Sequence, residues 1–142
     1  MKKISGISIL VFISIFILSC DNNNQTTGSD MNKVFDSLVK TFEGRIIPLF
    51  KETNLAYWNA SISGRDEDYQ ASVDAEMAAN KVLSDTSLFA SFKKVKESGQ
   101  ITDSIKKREL DMIYNTMLTK QIDTVKMKAM VELGNQIEKK YS

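Results

Sequence analysis

Covalent chemistry needs a nucleophile beside a base, a tuned pair of carboxylates, or a set of metal-ligating side chains. This chain is poorly supplied for each. It contains no histidine, so its serines and threonines lack the commonest base for activating a nucleophile. A Ser–Lys pair is formally available, but none stands in the context of a strained nucleophile elbow. A tetrahedral zinc site draws mainly on His and Cys, and Cys20 is the sole cysteine. The run Asp66-Glu67-Asp68 lacks the glycine and the spaced oxygen ligands of a calcium loop, and reads as a solvated helix start. Lys106-Lys107-Arg108 is flanked by Asp103, Glu109 and Asp111, which makes a mixed helix face rather than a nucleic-acid patch. The whole chain balances 19 basic against 18 acidic residues, so no charge excess points to nucleic acid. No catalytic residue, no metal ligand set and no cofactor site is expected in this chain.

The chemistry that the sequence does offer is at Cys20. Lys2 and Lys3 form a basic head, and Ile4–Leu18 is apolar apart from Ser5, Gly6, Ser8 and Ser14. That run falls short of the roughly 20 residues needed to span a bilayer, and has the order of a secretory signal. It ends at Ile17-Leu18-Ser19-Cys20. This ending resembles a bacterial lipoprotein signal, in which cleavage after residue 19 leaves Cys20 as a lipid-carrying N-terminus. Leu18 stands where that pattern prefers a smaller residue. The resemblance implies residues 1–19 as signal peptide and Cys20 as the lipidation site. It also implies a cell-envelope location facing the periplasm or exterior, with membrane lipid as partner. A lone cysteine leaves no internal disulfide. Residues 20–32 carry the polar stretch DNNNQTTGSD, which has nothing to bury and is expected to be a tether.

Residues 33–142 are the part able to form a folded domain, and they read as all-α. One proline and six glycines in 142 residues leave few breakers. From Met31 onward Val34, Phe35, Leu38, Val39, Phe42 and Ile46 recur at spacings of three and four, the pattern of a helix with one buried stripe. Pro48 removes a backbone donor and is expected to kink or split that helix near Ile47. The stripe resumes through Leu49, Phe50, Leu55, Tyr57 and Trp58, and the last two are expected to anchor the core. Asp66 is a plausible N-cap for a second helix with Tyr69, Val73, Met77 and Val82 inward. Ser84, Asp85 or Thr86 caps a third carrying Leu88, Phe89, Phe92 and Val95, closed by Gly99 in a left-handed turn. Thr102 or Asp103 caps a fourth with Ile105, Leu110, Ile113, Tyr114, Met117 and Leu118. Asp123 caps a fifth, with Met130, Leu133, Ile137 and Tyr141 as its apolar stripe. Met112, Met117, Met127 and Met130 are expected to fill the core rather than form a binding face. The result is a bundle of about five helices.

The stretch from Asn54 to Gly64, NLAYWNASISG, resembles a segment of the angiotensin-converting-enzyme family of peptidyl-dipeptidases. Leu83-Ser84-Asp85-Thr86-Ser87-Leu88-Phe89, then Leu110-Asp111-Met112-Ile113-Tyr114-Asn115, then Asn135-Gln136-Ile137-Glu138-Lys139-Lys140-Tyr141 extend the resemblance over about residues 33–141. The resemblance implies the N-terminal helical lid of a larger zinc metallopeptidase that removes C-terminal dipeptides from short peptides. In that family zinc sits on an H-E-x-x-H helix, the two histidines one turn apart and the glutamate activating water. These 142 residues lack that motif, so a truncated or split member, inactive by itself, is expected. It would need a separately encoded catalytic part, or would associate with itself through an unfinished last helix. The other expectation is a non-enzymatic lipoprotein that serves as a binding or scaffolding module. An unrelated small helical lipoprotein is the third.

Overall fold

The computed structural model describes residues 28–141; Cys20, the apolar run before it and most of the expected tether lie outside them. Among the described residues the fold is all-α, with five helices and no strand. They are α1 (Gly28–Ser63), α2 (Asp66–Leu83), α3 (Thr86–Ser98), α4 (Ser104–Leu118) and α5 (Thr124–Lys139).

Helix α1 is the spine. Its first half lays Met31, Phe35, Phe42 and Ile46 into the principal core. Facing them are Ala79, Val82 and Leu83 from the end of α2, Leu88, Phe92 and Val95 from α3, and Leu110, Ile113 and Met117 from α4. Phe42 and Phe92 meet edge to face with ring centroids 5.8 Å apart, a geometry that favours one ring's positive edge against the other's negative face. The second half of α1 pairs with α2, and α5 packs on α2. There Tyr69 and Val73 of α2 and Met127 and Val131 of α5 are buried.

The helix boundaries follow from local chemistry. Asp85, Asp103 and Asp123 each accept hydrogen bonds from two backbone N–H groups at the starts of α3, α4 and α5, which satisfies donors that have no partner inside the helix. Gly99 closes α3 at φ 64°, and Gly64 turns α1 into α2 at φ 66°, a region that costs a side-chain-bearing residue.

Several expectations change. α1 runs unbroken through Pro48 for 36 residues. Pro48 is exposed, so the Gly44 carbonyl it deprives of a donor can turn to water, and packing on both sides of it keeps the two halves one helix. α1 also begins at Gly28, inside the stretch 20–32 expected to be tether, because Met31 is buried and extends the stripe of Phe35 by one turn. Arg65, not Asp66, occupies the N-cap position of α2, with no capping side-chain bond. Asp66 is the first helical residue instead.

The largest correction concerns Tyr57 and Trp58. They are 43% and 64% exposed, and the turn buries Ala60 in their place. α1 packs more extensively on α2 than on any other helix, and the small Ala60 is the residue fully buried at that end of α1. α5 differs in the same way. Its stripe Met130, Leu133, Ile137 and Tyr141 faces outward, while Met127, Val131 and Asn135 face inward. Val34, Phe50, Leu55, Ile105 and Leu118, also expected inward, are exposed. The methionines divide: Met117 and Met127 are core, Met112 and Met130 surface.

Candidate functional site

The second half of α1, the middle of α2 and the length of α5 enclose a cleft of about 390 Å³. Tyr57 and Asn54 stand on the α1 wall, Met130 and Gly134 on the α5 wall, and Ser72 and Glu76 of α2 form part of the lining. Lys120 and Ile122, from the link between α4 and α5, close one end. Tyr57 ties the α1 wall to α5, and Thr53 ties it to α2. The Tyr57 hydroxyl lies 3.2 Å from Glu138 Oε2, and the Thr53 hydroxyl donates to the carbonyls of Leu49 and Ala75 at 2.9 and 3.1 Å. Lys139 pairs with Asp66 where α5 meets the start of α2.

Asn135 is the residue in this cleft that most suggests a ligand. It is 9% exposed, its Nδ2 donates to the Val131 carbonyl at 3.1 Å, and its Oδ1 has no partner. A buried amide oxygen without a donor is costly. Water or a ligand bearing an N–H or O–H would satisfy it. Sequence reasoning passed over Asn135 and Ser72, although a signal was present. Asn135 follows Met127 and Val131 at intervals of four, a polar residue in the inward stripe of an amphipathic helix.

The other sequence candidates do not converge here. Cys20 lies outside the described residues. The acidic run divides its bonds: Asp66 takes Lys139, while Asp68 takes the Ser63 hydroxyl and Arg65. Those bonds hold the Asp68 carboxyl below its usual range, the Ser63 hydroxyl contributing most and Arg65 next. Lys106 of the basic run reaches Asp36 across to α1 at 2.6 Å. Among the described residues no three His, Cys, Asp or Glu side chains stand together as a metal site. No helix among them is long and apolar enough to cross a membrane. No protein-family model, curated protein or solved structure matches the chain.

Proposed function

We propose that this protein is a lipid-anchored, non-catalytic helical module of the cell envelope that binds through the face where α1 and α5 flank the cleft. The observation that carries the binding role is the cleft itself. It has apolar rims in Tyr57 and Met130, and an unpaired buried acceptor at Asn135. Polar Asn54, Ser72, Glu76 and Asn135 converge there with apolar Ile122, Met127, Met130 and Val131, and polar groups converging beside apolar walls in a concavity are a usual feature of binding sites. The anchoring role rests on the order of basic head, apolar run and Cys20 in the sequence. The test is the mass of the membrane-extracted protein. A chain beginning at Cys20 and carrying acyl groups is expected, with Cys20→Ser shifting the protein out of the membrane fraction. A wild-type protein of unmodified mass in the soluble fraction would overturn the anchor.

A second reading follows from the peptidase resemblance and the openness of the same cleft: the module would be a lid whose catalytic partner is encoded separately. The pure chain is then expected to release no dipeptides with or without added zinc. Zinc-dependent cleavage by the pure chain would rule out the non-catalytic reading in either form.

A further inference from the structure

α5 runs parallel to the second half of α1: Met130 and Asn54 share the cleft, and Glu138 meets Tyr57 further along both helices. At helical spacing the outward stripe of α1 reads Ile47, Lys51, Leu55, Trp58, Ile62. That of α5 reads Lys126, Met130, Leu133, Ile137, Tyr141, with Lys140 beside it. All of these side chains are exposed. The two helices wall the same cleft, with Met130 in its lining and Trp58 next to Tyr57 on the opposite wall, so the two stripes look outward on the same side of the molecule.

Two of the three carboxylates of these segments point elsewhere. Glu52 sits at the edge of the face, in a hollow beside Pro48 and Ala71 that Lys51 and Leu55 also border. Glu132 lies on the far side of α5, near Asp66, and pairs with Lys128. Glu138 is held in the cleft by Tyr57. Lys51, Lys126 and Lys140 pair with no carboxylate among the described residues. The face is therefore apolar, aromatic and basic on a molecule whose overall charge is balanced.

We infer that this α1–α5 face docks on an anionic lipid surface. Tryptophan and tyrosine suit the boundary between headgroups and acyl chains, and lysines beside them suit anionic headgroups. A second copy of the chain is the poorer complement, since pairing two such faces sets Lys51, Lys126 and Lys140 against lysines. The anchor fits as well. Eight residues from Cys20 to Gly28 reach at most roughly 28 Å, so the start of α1 stays near the membrane. Trp58 lies roughly 45 Å further along the helix axis. A tether of that length lets α1 lie along the surface with the face down.

The inference deepens the anchored reading, and the two fail separately: Cys20 mass tests the anchor, and Trp58 tests the face. Trp58 is the single tryptophan in the chain. In the full chain incorporated into vesicles, its emission is expected to shift to the blue as phosphatidylglycerol replaces phosphatidylcholine. Brominated acyl chains should then quench it, and added salt should reverse the shift. The docking equilibrium read from the shifted fraction should fall about fivefold for each of K51Q, K126Q and K140Q. Leu133→Asp, at an exposed position, should abolish the shift without unfolding the protein. Emission and iodide quenching that are the same on both lipids would overturn the inference. A shift that tracks protein density rather than phosphatidylglycerol content would also overturn it, in favour of a second copy on the face.

Discussion

Trp58 and Phe92 are both large aromatics on helices, and their surroundings make them energetic opposites. Phe92 is fully buried among α1, α3 and α4, so Phe92→Ala leaves a cavity and is expected to cost about 3–5 kcal/mol. Trp58→Ala, at a mostly solvated position, is expected to move stability by less than about 0.5 kcal/mol. Denaturant titration of the two variants checks both. A Trp58→Ala loss as large as that of Phe92→Ala would return Trp58 to the core. Asp85 shows a second residue-scale effect. Its carboxyl is held below the usual range, first by the Leu88 backbone N–H and then by the Arg45 guanidinium, which lies 3.0 Å away. A carboxyl with a lowered folded pKa stabilises the fold above its ordinary pKa, and loses that contribution as pH falls toward its folded value. Asp85→Ala is therefore expected to lose about 1 kcal/mol at neutral pH. The gap from wild type should close in acid, which denaturant titrations across pH would show.

At the scale of elements, α1 carries the one local conflict. Pro48 sits in the interior of a 36-residue helix, where it removes a hydrogen bond and crowds the carbonyl of Gly44. Pro48→Ala restores the donor and is expected to stabilise the protein by about 2 kcal/mol, read as a higher Tm. A lower Tm would mean that α1 needs Pro48 for its packing on both cores. The Asp123 cap of α5 was legible in the sequence, and those of α3 and α4 to within two or three residues, because capping acts within a few residues; the same signal misplaced the cap of α2 at Asp66. The direction of α5 was not legible. It carries apolar residues on two stripes, and the stripe with more of them, Met130 through Tyr141, is the exposed one.

For the whole molecule, stability is unevenly divided. The principal core gathers the first half of α1, the end of α2, and α3 and α4, whereas α5 buries only Met127, Val131 and Asn135. α5 is therefore expected to open before the rest. Native-state hydrogen exchange should show weaker protection for amides near Val131 than for those near Phe35 and Phe42. Equal protection would indicate a single cooperative unit. A weakly held α5 beside a cleft also suits a binding face, since the elements that receive partners come from the less stable end of a fold.

The sequence alone determined the helical class, the number of helices, the Asp123 cap, the sites of the α3 and α4 caps to within two or three residues, the Gly99 turn and the lack of histidine, because periodicity and capping are local and composition is simply counted. Tertiary structure decided which of several apolar stripes faces inward. With α1 packed on α2, Ala60 is buried and Trp58 is left outside. With α5 seated on α2, Asn135 is buried and Met130, Leu133, Ile137 and Tyr141 are turned to the surface. Helical periodicity says that side chains share a face; only the packing of neighbouring helices says which way that face looks.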